Sequence, residues 1–274
     1  MGEARINRTL RKMRAAGHPC VYCGASSGTI EHMPPRAMFR QKDRPKGLEF
    51  PACSDCQNAT RLTDLVAAFA CRFWPAANSE MFVDEFRSLL PKLRRNVPGL
   101  LEEMKLGRAG QKLAARRIGM ELREEGLLSA GGPLFMKHML HFAGKMGFAI
   151  YYEAKGHPVP ADGILIADFY TNAHAIGGQL PSEIIDLLPA PMTLSQGRKI
   201  VSDQFEYTWR ETACGTAFYC FASFGHSIAV DAIVYNDKTE APIDKLRFPK
   251  TPLVWAASNP NFATIQQFRP APTE

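Results

Sequence analysis

Two Cys-x-x-Cys pairs, Cys20 with Cys23 and Cys53 with Cys56, are the strongest chemical signal in this chain of 274 residues. Each pair can supply two thiolates from a tight turn, and four sulfurs about 2.3 Å from one ion complete a tetrahedral zinc site. Such a site is structural, because no coordination position stays open for a substrate. We therefore expect these four cysteines to bind Zn²⁺ and to fold the chain around it.

The residues between the two pairs could carry out a reaction. Cys23 and Cys53 are separated by 29 residues, more than the roughly 15–20 of a compact zinc ribbon, so additional structure is expected inside the loop. Short β-prone runs at 29–32 and 48–50 each end at a proline, and a helix can begin after Cys53 because no breaker follows it. A hairpin followed by a helix would place His32 at a strand end, facing Gln57 and Asn58.

This arrangement resembles the HNH nuclease superfamily, with its ββα-metal (treble-clef-like) core and four-cysteine zinc site. It is most similar to small bacterial members that carry Cys-x-x-Cys, Asp-His-Val-Pro-Pro and Cys-x-x-Cys-Asn; here the middle motif is Glu-His-Met-Pro-Pro at 31–35. The resemblance covers residues 20–61. It implies that His32 is the general base that activates water. It further implies that Glu31, with Gln57 or Asn58, holds Mg²⁺ or Mn²⁺ on the scissile phosphate.

Two positions depart from the family pattern. Glu31 stands where Asp is usual, and Gln57 stands where His or Asn directly follows the last cysteine. An amide oxygen is a weak ligand for a cation that favours charged oxygen. Asn58 lies about 100° further round a helix. If the helix begins one residue late, Asn58 and Arg61 take the family's Asn and Lys positions.

Three functions therefore stay open. The first is a metal-dependent endonuclease that hydrolyses phosphodiester bonds in nucleic acid. The second is a catalytically degenerate zinc-containing protein that still binds nucleic acid. The third is an interaction protein that the zinc module merely braces.

The positive charge of the chain is concentrated around the cysteine pairs. Residues 1–61 contain eleven Lys and Arg against five Asp and Glu, whereas residues 62–274 contain 22 of each sign. An excess confined to one segment indicates a polyanion-binding surface. We expect nucleic acid as the partner, DNA rather than RNA, and no membrane; the sequence leaves the oligomeric state open. The expected phosphate contacts are Arg5, Arg8, Lys12, Arg36, Arg40, Lys42, Arg44, Lys46 and Arg61.

Composition is ordinary for a soluble globular protein, with 46% hydrophobic and 22% charged residues. The N-terminal residues lack the apolar segment of a signal peptide, and the odd cysteine count argues against a disulfide framework, so we expect a cytoplasmic protein. Packing is the expected role of Cys71, Cys214 and Cys220. His138 and His141 share a helix face without the glutamate of a zinc-protease helix, so packing is expected there too.

The chain is predicted to be an α+β protein in three regions. Residues 1–61 form the HNH-like zinc module with its basic N-terminal arm, 62–147 a helical region, and 148–274 a mixed, β-rich region. Strands are predicted at 148–153, 164–170, 205–209, 217–224 and 228–235, from alternating or β-branched apolar runs. The last three are separated by short turns, which predicts an antiparallel meander.

Overall fold

The N-terminal part of the molecule is built on a short hairpin. A computed structural model describes residues 17–73, 80–117, 127–241, 253–256 and 266–267. Strands β1 (Thr29–His32) and β2 (Glu49–Ala52) pair antiparallel, with His32 opposite Glu49. Helix α1 (Ser54–Ala70) follows directly, with Cys53 as its N-cap. The order of two strands and a helix is the one predicted for this stretch.

The middle of the chain is helical, as predicted. It comprises α2 (Glu80–Asn96), the one-turn helix α3 (Leu100–Glu103), α4 (Arg108–Arg117) and the long helix α5 (Pro133–Lys155). Residues 74–79 and 118–126 of the predicted helical region lie outside the described part of the chain.

Helix α5 forms the centre of the molecule. Every residue from 139 to 151 is buried, so the helix is enclosed on all sides. It starts at Pro133 and ends where Gly156, at φ +75°, donates its backbone N–H to Tyr152. The strand predicted at 148–153 is therefore wrong, because these residues are the last turns of α5. A run that is apolar on every side has no periodicity to separate strand from helix, and no breaker interrupts it before Gly156.

The C-terminal part forms a six-stranded antiparallel sheet in the order β10-β9-β3-β8-β7-β6. The predicted meander at 205–235 is confirmed by β6, β7 and β8, and the α+β class is confirmed with it. The strands are β3 (Ile164–Thr171), β6 (Glu206–Glu211), β7 (Ala217–Phe224), β8 (Ile228–Tyr235), β9 (Leu253–Ala256) and β10 (Gln266–Gln267). Two short helices, α6 (Asn172–Ile176) and α7 (Ser182–Ile185), and a small hairpin of β4 (Ser195–Gln196) and β5 (Lys199–Ile200) connect β3 to β6.

Aromatic side chains join α5 to its neighbours on two sides. Toward the N-terminal hairpin, Phe148 packs edge-on against Tyr22, and Tyr152 against Phe50, with ring centroids 6.0 and 5.6 Å apart. Toward the sheet, the corresponding pairs are Phe142 with Phe224, Tyr151 with Phe218, and Phe135 with Phe169. The region borders predicted at 61/62 and 147/148 fall inside α1 and α5, so secondary structure continues across both of them.

Among the described residues, no helix has both the length and the apolar character needed to cross a membrane.

Close packing between α5 and the sheet depends on Gly147. A Cβ atom at this position would lie 2.6 Å from the Ala232 Cβ and 2.9 Å from the Leu165 Cδ1.

We predict that Gly147→Val lowers the free energy of unfolding by about 1–3 kcal/mol, because the larger side chain forces the helix away from the sheet. Urea denaturation measures this change. The control is Gly110→Ala in α4, where the nearest atoms are 3.4 Å away in the Leu106 side chain; it should be neutral or slightly stabilising. Equal stability of Gly147→Val and the wild type would contradict the prediction.

Candidate functional site

The four cysteine side chains converge between the hairpin and the start of α1. The sulfur atoms of Cys20, Cys23, Cys53 and Cys56 all lie within 4.8 Å of one another. The Sγ atoms of Cys23 and Cys53 are 3.7 Å apart, close to the edge of about 3.8 Å that a tetrahedron with 2.3 Å bonds has. The donor set is complete for one tetrahedral ion and is consistent with the predicted structural zinc.

Backbone hydrogen bonds shape the turn that carries each cysteine pair. The N–H of Gly24 donates to the Cys20 carbonyl at 2.9 Å, and Gly24 has a φ of +71°, which favours glycine. The second pair opens α1, where the Cys53 sulfur accepts from the Cys56 N–H at 3.4 Å. The positive end of the helix therefore faces this pair and stabilises thiolates.

The thiols of the cluster also interact with one another. A hydrogen bond from Cys56 lowers the pKa of Cys20 to about 5, and the same interaction raises the pKa of Cys56. Neighbouring thiols thus favour one thiolate at neutral pH. Thiolate is the form of cysteine that binds metals, so a metal ion would displace the remaining protons.

His32 lies at the end of β1 with an imidazole that is 34% exposed. Its cross-strand neighbour is Glu49, whose Oε1 is 3.9 Å from the His32 Nε2. Burial and the nearby Arg44 guanidinium lower the pKa of His32 below its usual value, and Glu49 acts in the opposite direction. The imidazole is therefore mainly neutral at pH 7 and in contact with solvent, as a general base requires.

Glu31 faces the interior, because adjacent residues of a strand point to opposite sides. Its side chain is 6% exposed, and its Oε1 lies 3.1 Å from the Nζ of Lys145 in α5. Lys145 is fully buried, and its Nζ is also 2.7 Å from the Asp64 Oδ1. Glu31 and Asp64 therefore share one ammonium group. The sequence predicted Glu31 as a ligand of a divalent ion beside His32, whereas in the structure its carboxylate contacts this lysine.

The charges in this cluster stabilise one another. Burial alone would lower the pKa of Lys145, but the carboxylates of Asp64 and Glu31 raise it above its usual value. Burial raises the pKa of Asp64 to about 6, although Lys145 acts in the opposite direction. The ammonium therefore stays charged inside the protein. It links β1 and α1 to the central helix.

The two amides predicted as helix ligands are in different environments. The Nε2 of Gln57 donates to the backbone carbonyl of Ile30 at 2.9 Å, which fastens α1 to β1. Asn58 is exposed on the next position of the helix. Gln57 is thus engaged in a contact within the module, and Asn58 is open to solvent.

Arg44 organises the loop between the two strands. Its guanidinium donates to the carbonyl oxygens of Met33 at 2.8 Å, Pro34 at 2.7 Å and Gly47 at 2.6 Å. These carbonyls lie just after β1 and just before β2, so one side chain ties the two strand ends beside His32. Burial lowers the pKa of Arg44 to about 10, which leaves it charged at neutral pH. The N–H groups of Arg44 therefore donate to carbonyls of this loop, whereas the sequence predicted that Arg44 would contact phosphate.

The other basic residues of the predicted contact surface are divided among three environments. Arg40 forms an ion pair with Asp203 on the C-terminal part. Arg5, Arg8 and Lys12 lie outside the described residues. Exposed members without an ion pair to the C-terminal part are Arg36, Lys42, Lys46 and Arg61.

Three residues of this region were absent from the sequence-based prediction. The sequence could have indicated a buried ion pair at Lys145, because a lysine within a mainly apolar helical run needs a buried partner. Asp64 supplies one partner from the helix that follows the second cysteine pair. Glu49 becomes visible only through the strand register, which places it opposite His32.

The other candidates have packing roles or stay outside the site. The Nδ1 of His138 lies 3.3 Å from the Thr63 hydroxyl, and His141 is buried. Cys220 is buried as predicted, whereas Cys214 is exposed. Within the described ranges, the four-cysteine cluster is the only group of three or more metal-ligating side chains at coordinating distance.

Comparison of the chain with models of protein families, with curated proteins and with solved structures finds no match in any of the three. The resemblance to HNH nucleases therefore rests on the motif residues alone.

The cysteine cluster predicts one zinc ion per chain. Cys53→Ser should lose this ion and lower the midpoint of thermal unfolding by about 5 °C or more, because about 2 kcal/mol corresponds to such a shift in a chain of this size. Metal analysis and circular dichroism measure the two effects. Cys214→Ser is the matched control, because Cys214 is exposed and outside the cluster; it should retain zinc. Full zinc content in Cys53→Ser would show that the cluster is not the binding site.

The buried ion pairs predict a large cost for removing the lysine. Lys145→Met should lower the free energy of unfolding by about 3–5 kcal/mol, because two carboxylates lose their cation. Lys137→Met on the same helix should change it by less than about 0.5 kcal/mol, since Lys137 is exposed. Urea denaturation compares the two variants. Equal effects would mean that the Lys145 contacts contribute nothing to stability.

Proposed function

We propose that this chain is an HNH-type endonuclease that hydrolyses phosphodiester bonds, with an N-terminal module folded by zinc. The observation that carries the proposal is the neutral, solvent-accessible imidazole of His32 at the end of a hairpin that the cysteine cluster fixes against α1. Exposed basic residues on the same hairpin loop support it. The resemblance of residues 20–61 to HNH nucleases gives the reaction class.

In the proposed reaction, His32 removes a proton from a water molecule as the water oxygen attacks phosphorus. The bond from phosphorus to the leaving oxygen then breaks, and solvent protonates that oxygen. Glu49, with its Oε1 3.9 Å from the His32 Nε2, stabilises the imidazolium that forms. His32 would supply a factor of roughly 10²–10⁴ as a general base.

A divalent ion supplies Lewis acidity to this chemistry in HNH nucleases. Of the ligands predicted for it, Glu31 is paired with Lys145 and the Gln57 Nε2 donates to the Ile30 carbonyl, whereas Asn58 is exposed. The proposed proton transfer at His32 stands independently of these three residues.

The nucleic acid would be held through its phosphates. Arg36, Lys42 and Lys46 are exposed on the loop that follows His32. Contacts from such side chains give affinity that falls with salt and carries no base sequence. We therefore propose cleavage of nucleic acid with little sequence preference.

A second candidate function is binding of nucleic acid without cleavage. The pairing of Glu31 with Lys145 favours it, because that carboxylate is neutralised by a cation that belongs to the protein. Zinc and the basic loop would then serve recognition alone.

The central experiment compares wild type and His32→Ala on plasmid DNA, single-stranded DNA and RNA with Mg²⁺ or Mn²⁺. Cleavage by His32→Ala should fall at least about 100-fold, while zinc content and thermal stability stay unchanged. His226→Ala, at an exposed histidine, is the control and should cleave normally. Normal cleavage by His32→Ala would end the proposal. Binding by the wild type without any cleavage would support the second candidate.

The pH dependence gives a separate test of the base. Protonation inactivates a general base, and burial lowers the pKa of His32 below the usual histidine value of 6.5. The acid limb of kcat/KM should therefore lie below pH 6.5, and the rate should be level from there to pH 8. A limb centred above pH 7 would contradict this assignment.

A further inference from the structure

We propose that Glu85 and Gln204 are positioning residues for nucleic-acid binding. They hold the basic loop between β1 and β2 (residues 33–48) in the conformation that presents Lys42 to phosphate. The phosphate contact of Lys42 rests on the proposed function. The helical and C-terminal parts of the chain thereby acquire a role in binding, because each supplies one of the two positioning residues.

The backbone of the basic loop is strained where it carries Lys42. Gln41 and Lys42 have φ angles of +54° and +56°, in the left-handed region that residues with a side chain rarely adopt. Strained residues persist only where the surrounding structure holds them, and they are concentrated at functional sites. Contacts from outside the loop must therefore maintain this conformation.

Two side chains from distant parts of the chain hold consecutive backbone N–H groups at this point. The Arg40 N–H donates to the Gln204 Oε1 at 2.8 Å, and the Gln41 N–H donates to the Glu85 Oε1 at 2.6 Å. Gln204 lies just before β6, and Glu85 lies on α2. Each hydrogen bond fixes one peptide unit, so the two together determine the backbone that leads into Lys42.

Glu85 is itself held in place from its other side. Its Oε2 accepts a hydrogen bond from the Arg72 Nη2 at 3.0 Å, and the Arg72 side chain is 6% exposed. The Arg72 Nη1 also donates to the Ala68 carbonyl of α1 at 2.5 Å. Rotation of Glu85 away from the loop would take the counter-charge from a buried guanidinium, which is unfavourable. Glu85 is therefore a fixed acceptor that connects the end of α1 to the basic loop.

The C-terminal part makes further contacts with the same loop. The Lys199 Nζ donates to the Asp43 carbonyl at 2.5 Å, and Phe39 packs edge-on against Phe205 with ring centroids 6.3 Å apart. The loop is thus docked on both sides of Lys42, whereas the Lys42 side chain is exposed. A loop that is ordered before binding loses little conformational entropy on binding, which favours affinity.

The test measures binding of a short fluorescein-labelled DNA duplex to the full-length, zinc-loaded protein by anisotropy, over a series of salt concentrations and without Mg²⁺ or Mn²⁺. Lys42→Ala should weaken binding at low salt by at least about threefold and lower the salt slope by about 0.9, since one phosphate contact is lost. Glu85→Ala should have the same effect, although the removal of a negative charge would by itself strengthen binding to DNA. Glu85→Gln keeps an acceptor oxygen for the Gln41 N–H and should bind at least as tightly as the wild type.

The double variant Lys42→Ala/Glu85→Ala separates positioning from general destabilisation. Because Glu85 acts through Lys42, the double variant should bind no more weakly than Lys42→Ala alone. Asp84→Ala is the matched control, since it removes the same charge from the same helix and Asp84 is an exposed residue paired with Arg87. It should bind as tightly as the wild type or slightly more tightly.

Gln204→Ala removes the other acceptor without a change of charge and should weaken binding as Glu85→Ala does. It decides the question if Glu85→Ala fails to fold. Wild-type affinity in both variants would overturn the inference, and so would additive losses in the double variant.

The same measurements separate this inference from the proposed function. Binding that depends on Glu85 and Gln204 but leads to no cleavage would overturn the endonuclease proposal alone. Cleavage by a wild type whose affinity is independent of both residues would overturn this inference alone. A wild type that binds neither DNA nor RNA would overturn both.

Discussion

A lysine ammonium enclosed at the centre of the molecule is the constraint on which the rest of the structure depends. Lys145 is fully buried and needs oxygen atoms around it, and these come from β1 and α1. Tyr22 lies beside the ammonium, with its ring centroid 5.9 Å away, and belongs to the first cysteine turn. The central helix, the hairpin and the first cysteine turn therefore all meet at one charge. A change at any of them alters the surroundings of the others.

The cysteine cluster and the apolar core stabilise different parts of the short hairpin. A hairpin of two four-residue strands is too small to be stable alone. Four thiolates on one ion would fix its base to α1, and Phe50 and Tyr22 then bury it against α5. The guanidinium of Arg44 orders the opposite end of the hairpin by binding carbonyl oxygens of both strand ends. His32 lies between these two restraints, so its imidazole stands on a rigid support.

The parts that could be predicted from sequence are those with local signals. The cysteine spacing and the turns of the C-terminal meander each fix a structure within a few residues. Pro51, in contrast, was expected to end the second short strand and lies inside β2. The run at 148–153 was assigned to a strand because its burial on every side removes the periodicity on which such assignments rely. The partner of Glu31 could not be derived, since it depends on how α5 packs against the hairpin, a contact between distant parts of the chain. The same holds for Arg44, whose charge suggested phosphate and whose neighbours are carbonyl groups.

The position of α5 has a consequence for how the protein is made. The N-terminal hairpin emerges first during synthesis, but the aromatic surface and the ammonium that complete its interior belong to a helix that ends at Lys155. Until that helix has left the ribosome, the nascent chain holds Glu31, Tyr22 and Phe50 without their partners. The cysteines can bind zinc before this moment, whereas the interior behind His32 is completed only after it.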